Sequence, residues 1–280
     1  MNNKRKTLQE LTIIDDFMFG AVMQDPEICR GLLECILEIS IRKVEVIKEK
    51  SLIYHPEYRG VRLDVFANDE KGSRYDVEMQ TTRIPSIERR SRYYHSQMDM
   101  EMLLSGIPYE RLPDSYVIFI CTEDPYDRGK YRYTFNTHCE ELSDLNFPDK
   151  RHTVILNSQG RNPAEIPQEL VNFLEFTKLS LAESEKESDD AYVRSLQKSI
   201  RHIKNSREMG EKYMKFQEML QRERLEGREE GRLEGREEGR EFMLFQLVEK
   251  GLITEDTASE QLGITPGEFR ENMKKYIKMS

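Results

Sequence analysis

Two carboxylates and an amide stand out by type and spacing: Asp64, then Glu78 and Gln80 fourteen and sixteen residues further on. The stretch "YDVEMQ" (75–80) alternates, setting Asp76, Glu78 and Gln80 against Tyr75, Val77 and Met79. A period of two is that of a half-buried strand. "VRLDVFA" (61–67) alternates as well, with Val61, Leu63 and Val65 on one face and Arg62, Asp64 and Phe66 on the other. The turn-forming "NDEKGS" (68–73) lies between them, so an antiparallel hairpin of 61–67 with 74–80 is expected. Side chains on one face of such a pair lie ~5 Å apart. Two carboxylates at that separation repel unless a proton or a cation lies between them. Hard oxygen ligands with open positions suit Mg²⁺, or Mn²⁺ in its place. One reading is thus a divalent-metal site on a hairpin, with Gln80 holding a water. The other is an ordinary solvated strand face.

The elements that must position these residues occupy only part of the chain. Of 280 residues, 37% are hydrophobic and 34% charged, which confines the core to part of the sequence. A net charge of −9 argues against indiscriminate coating of nucleic acid or anionic membranes, while leaving room for a local basic groove. Cys29, Cys35, Cys121 and Cys139 show no Cys-x-x-Cys spacing and read as reduced packing thiols. The N-terminal stretch lacks a signal-peptide apolar run, and no segment reaches the ~18–20 apolar residues of a membrane span. A soluble cytoplasmic protein with no membrane association is expected.

Helical spacing of apolar residues runs from Asp16 to Glu38, with a break near Asp25-Pro26. "VEVIKEK" (44–50) alternates as a strand, and 86–106 has helical periodicity ending at a glycine. "SYVIFIC" (115–121) is a nearly continuous apolar run suited to a buried strand, "HTVILN" (152–157) is another strand, and 167–181 is a helix. Tyr93 and Tyr94 read as packing residues. His95 reads as structural, because no second histidine stands at metal-ligand spacing. Arg83, Arg89, Arg90 and Arg92 cluster after the acidic strand, either to grip phosphates or as a solvated helix face.

Asp64, thirteen intervening residues and Glu78-Met79-Gln80 resemble the Asp…(Asp/Glu)-x-Lys nuclease signature, with Gln80 at the lysine position. The wider set "DDFMFGAVM" (15–23), "RRSRYYHSQM" (89–98) and "SGIPYERLPDSYVIFIC" (105–121) is similar to the recombination-promoting nuclease or putative transposase branch of the PD-(D/E)XK superfamily. The resemblance covers about residues 10–180 and implies a restriction-endonuclease-like α/β core, a mixed central sheet flanked by helices. It also implies a Mg²⁺-dependent DNA endonuclease linked to recombination or transposition. By that resemblance Asp64 and Glu78 would bind the metal with the Met79 carbonyl, and Gln80 would orient the attacking water without supplying charge. Asp16 would match the acidic position on the first helix, with Asp15 its competitor, and Asp76 would be at most an outer partner. Cleavage would leave a 3′-hydroxyl and a 5′-phosphate.

After Leu181 the composition changes, and 190–250 reads as one long polar helix. Gly227, Gly231, Gly235 and Gly239 fall four apart, in one drifting stripe beside stripes of arginine and glutamate. Each interior glycine costs ~1 kcal/mol against alanine, so a compensation is needed. Close pairing of two such helices in a homodimer provides one, a flexible linker being the alternative. The expected organisation is a nuclease-like domain (1–182), a charged helix (183–250) and a small helical end (251–280) joined at Gly263. That end has the size of a helix-turn-helix or a helical-hairpin cap.

Overall fold

The computed structural model describes residues 6–48, 51–52, 61–103, 106–142 and 144–277. The chain begins with α1 (Asp16–Val22) and α2 (Pro26–Leu37), then β1 (Val44–Lys48) and two short strands, β2 (Ser51–Leu52) and β3 (Val61–Arg62). There follow β4 (Val65–Asp69), β5 (Arg74–Gln80), α3 (Ile87–Met102), β6 (Ser115–Cys121), β7 (Arg132–Phe135) and β8 (Arg151–Asn157). Helices then take over: α4 (Gln168–Thr177), α5 (Leu181–Ser184), α6 (Ala191–Asn205), α7 (Arg207–Glu249), α8 (Glu255–Leu262) and α9 (Pro266–Ile277).

Local chemistry explains several boundaries. α2 starts where expected because the Asp25 carboxylate accepts from the Glu27 and Ile28 N–H groups, with Pro26 in the first turn. α8 ends at Gly263, whose φ of +70° suits glycine, so the joint to α9 also falls where expected. The expected helix over 190–250 is instead two, α6 and α7, parted at an extended Ser206. β7 was not anticipated, being short and half polar. Residues 49–50 and 104–105 of the expected strand and helix lie outside the described residues.

Among the described residues six strands form one mixed sheet in the order β1-β4-β5-β6-β8-β7. β1, β4 and β5 are antiparallel neighbours, β5, β6 and β8 are parallel, and β7 returns antiparallel on β8. This is a restriction-endonuclease-like α/β arrangement. The expected 61–67 strand is broken: β3 pairs with β2, β4 with β5, and Leu63-Asp64 form a bend between. Alternation therefore fails there, and Leu63 joins Phe66 in one core cluster instead of facing away from it.

β5 sits mid-sheet between β4 and β6, and α3 is the crossover connecting β5 to parallel β6. α3 packs Ile87, Tyr94 and Met98 against Phe66, Val117, Phe119 and Ile155. Parallel register places Asp76 beside Val117 and Glu78 beside Phe119, so the polar trio of β5 faces this covered side. Tyr75, Val77 and Met79 are buried on the other side. The solvated-face reading is thereby excluded: Asp76 and Glu78 are both 0% exposed. Elsewhere in this part of the chain α1, α2 and α4 pack against α6.

A polar seam runs under α3. Ser91 Oγ and Thr153 Oγ1 lie 2.7 Å apart, and His95 reaches Ser115 Oγ at 2.8 Å and Thr153 Oγ1 at 3.1 Å. Burial pushes the His95 pKa down to about 3, so the ring is neutral in the fold. For such a group stability is complete above the unfolded value near 6.5 and is lost as pH falls towards the folded one. Between pH 7 and pH 5 the wild type should lose about 2 kcal/mol more than His95→Gln. Denaturant titration at both values checks this, and identical losses would assign His95 no titrating role.

The described chain divides into two compact units, Met1–Tyr213 and Met214–Ser280. The second holds its own small core, in which Leu244 and Phe245 meet Ala258 and Phe269. Burial pushes the Cys29 and Cys121 thiols up to about 12, as befits packing residues. No described helix is long and apolar enough to cross a membrane.

Candidate active site

The break between β3 and β4 frees Asp64 from the ladder and turns it towards the end of β5. Its backbone N–H donates to Glu78 Oε1 at 3.1 Å, and its own Oδ2 accepts from the Met79 N–H at 3.2 Å. Two hydrogen bonds therefore clasp the bend to the strand one pleat beyond the last ladder pair, Val65 with Val77. A strand residue directs its N–H and C=O to the same side, so the Met79 carbonyl faces the same bend. Asp64 and Glu78 are brought together as their spacing suggested, with the Met79 backbone beside them.

Glu78 is the sealed centre of the cluster. Its Oε2 accepts from Arg90 Nη2 at 2.7 Å and from Gln80 Nε2 at 3.3 Å. Burial, and then the Asp64 charge, push its carboxyl pKa up against the pull of Arg90. Asp76, one pleat behind, is more extreme: no N–H donor reaches its buried oxygens, and its neighbour is the Glu78 carboxyl, with which only a shared proton can form a hydrogen bond. Burial first, then the Glu78 and Asp64 charges, push it well above the usual carboxylate range.

α1 passes the same bend. A Cβ added to Gly20 would lie 3.9 Å from the Asp64 carbonyl oxygen. Asp16, one turn earlier, shares that helix face and is exposed. Asp15 is already committed, to Lys6 Nζ at 2.6 Å and to the Thr12 N–H at 2.8 Å.

The four arginines do not form one face. Arg83 is exposed and paired with Asp127 at 2.7 Å, donating also to the Pro125 carbonyl at 2.9 Å. Arg89 and Arg92 are exposed on α3. Arg90 turns inward to Glu78, with its Nε on the Tyr94 hydroxyl at 2.5 Å. The Arg90-x-x-x-Tyr94 spacing, one helical turn, was the available signal for that inward turn. Sequence reasoning also missed a cleft of about 690 Å³ of mixed charge, lined by Thr122, Glu123, Asp124 and Asp127 as well as Arg128, Lys130 and Arg161. It adjoins the end of β5, since the Thr122 N–H donates to the Gln80 carbonyl at 3.0 Å.

The donor set is one a hard divalent cation accepts: carboxylates, a carbonyl, and Asp76 oxygens buried away from any N–H donor. Among the described residues, Arg90 ion-pairs with Glu78, while burial and mutual repulsion hold the Glu78 and Asp76 carboxyls above their usual range, a strain that a cation would relieve. Among the described residues, however, no three ligating side chains are already arranged around a common point. The Glu78 and Asp64 oxygens are instead engaged with Arg90, Gln80 and backbone N–H groups.

Comparison with protein-family models matches residues 16–240 to the PD-(D/E)XK nuclease family transposases. No curated protein and no solved structure matches the chain.

Proposed function

The chain belongs to the PD-(D/E)XK nuclease family transposases, and from that premise we propose that Asp64 and Glu78 are the core of a metal-dependent DNA endonuclease site. The observation carrying this reading is the clasp of Asp64 on Glu78-Met79 beside a buried Asp76 that no N–H donor reaches. Asp64, Glu78 and the Met79 carbonyl would hold Mg²⁺ or Mn²⁺. A cation bound there lowers the pKa of a bound water and polarises the scissile phosphate. Gln80 donates through its amide nitrogen to Glu78, which leaves its amide oxygen to accept from the attacking water. Asp16, on the face of α1 that carries Gly20, is assigned the acidic position that completes the site. Water adds to phosphorus and the bond to the 3′ oxygen breaks, giving a 3′-hydroxyl and a 5′-phosphate. The role we assign is cleavage in recombination or transposition.

A second reading, a DNA-binding accessory protein with weak catalysis, is favoured by one observation. Gln80 carries no charge where the signature has lysine. Nicking of supercoiled plasmid by the full chain with Mg²⁺ or Mn²⁺ separates the two. DNA retention without nicking by the wild type would favour the accessory protein.

DNA contact is assigned to Arg89 and Arg92, the exposed pair flanking Arg90. Replacing both with glutamine should weaken DNA binding and flatten the dependence of log K on log salt by about 2. An unchanged slope in a filter-binding series would leave them as solvated helix residues.

We place the chemistry in residues 1–182 and association in 183–250, with 251–280 a small helical end. A Cβ at Gly227, Gly231, Gly235 or Gly239 would meet nothing within 4 Å. Among the described residues nothing around them accounts for four costly glycines in α7, whereas a second copy pairing along that stripe would. Gly231→Leu with Gly235→Leu should abolish a homodimer seen by sedimentation while retaining helix content. A wild-type monomer, or a leucine variant that still dimerises, would refute the pairing.

A further inference from the structure

Among the described residues, the cation in direct contact with Glu78 comes from α3. Arg90 Nη2 sits 2.7 Å from Glu78 Oε2. Its guanidinium carbon lies 5.0 Å from the Tyr94 ring centre and 5.9 Å from that of Phe119. Glu78 is sealed, whereas the Arg90 side chain is 32% exposed. The guanidinium therefore spans the interval between the buried carboxylate and solvent.

Resting on the nuclease reading above, we infer that Arg90 is a displaceable counter-ion that supplies the positive charge Gln80 lacks. In the metal-free protein it neutralises Glu78 and occupies the oxygen that a divalent cation would take. With Glu78 committed to such a cation, Arg90 is released towards solvent, where the substrate phosphate arrives. A guanidinium is suited to both partners, because its planar fork matches carboxylate and phosphate alike. Its two aromatic neighbours keep it close to the site in either position, since cation–π contact does not depend on the ion pair. The neutral Gln80 and the inward arginine then form one device, with the cation carried on the helix instead of the strand.

The alternative is a permanent structural ion pair, and the two differ in their effect on metal affinity. A displaceable partner competes with the metal, so removing it tightens binding. A permanent brace holds the carboxylate in place, so removing it weakens binding. The test titrates the metal-free full chain with Mn²⁺ by calorimetry and scores plasmid nicking for wild type, Arg90→Gln and Arg90→Lys. Arg90→Gln should bind Mn²⁺ about tenfold more tightly yet nick about 10²–10³-fold more slowly. Arg90→Lys should fall between wild type and Arg90→Gln in both respects, because it keeps the charge without the fork. Equal or weaker Mn²⁺ binding by Arg90→Gln overturns the inference. If Arg90→Gln does not fold, Arg90→Lys decides, and wild-type Mn²⁺ affinity in that variant overturns it. A wild type that binds Mn²⁺ and never nicks overturns the nuclease reading instead, while the affinities still report on the counter-ion.

Discussion

Asp64→Ala in the full chain should slow metal-dependent nicking of supercoiled DNA by about 10³-fold or more, ~4 kcal/mol of barrier. The size follows from what Asp64 contributes. It is the carboxylate that the strand break turns out of the ladder, and it meets Glu78 and Met79 simultaneously. The fold should survive its loss, because Asp64 is only partly buried, and the hydrogen bond its carboxylate accepts from the Met79 N–H is worth ~1 kcal/mol. Glu78→Gln should lose as much activity, though it also leaves Arg90 without its charged partner. It is therefore the riskier variant for stability, a distinction the sequence could not supply. Melting curves beside the nicking assay separate lost chemistry from lost fold. Wild-type nicking by both variants would falsify the assignment.

Much of this was legible in the residues. Alternation in 75–80, the turn cluster at 68–73 and the apolar run at 115–121 place β5, the hairpin and β6. Asp64 and Glu78 converge as their spacing implied, and the Met79 backbone joins them as the family resemblance implied. What alternation could not show is whether the polar face of β5 meets water. A strand buried on both sides and a half-buried one have the same period when the second covered face is polar. The missing clue lay further along the chain. An apolar strand such as 115–121 calls for parallel neighbours, and a parallel neighbour requires a crossover. The periodic segment 86–106 was the only candidate for one. Its position over β5 turns Arg90 from a surface charge into a partner of Glu78. The bend at Leu63-Asp64 was hidden for a related reason, since 61–67 alternates through the break without a glycine or proline to mark it.

Asp76→Asn should make the metal-free protein more stable by about 3 kcal/mol, the upper range for an unsatisfied buried group able to carry charge. At this chain length that is roughly 6–12 °C of Tm. Both Asp76 oxygens are buried away from any N–H donor, beside the Glu78 carboxyl on the same strand face, so the ionised form meets only repulsion there. Asparagine keeps the shape, cannot ionise, and brings an N–H₂ group able to donate to Glu78. The pH dependence has a definite sign. The folded pKa of Asp76 is raised, so its contribution is complete below the unfolded carboxylate value near 3.9 and is lost as pH rises through the folded one. The gain from asparagine should therefore widen as pH rises from 5 to 8. A divalent cation should reverse the ranking's basis, because it compensates the carboxylates of the wild type and finds less charge in the variant. Mn²⁺ should thus raise the wild-type Tm more than that of Asp76→Asn, narrowing the gap between them. Thermal melts across pH, with and without Mn²⁺, measure all three trends. A variant less stable than wild type in the metal-free state would mean that Asp76 is a satisfied structural carboxylate. Equal Mn²⁺ shifts in the two proteins would place it outside the influence of the metal centre.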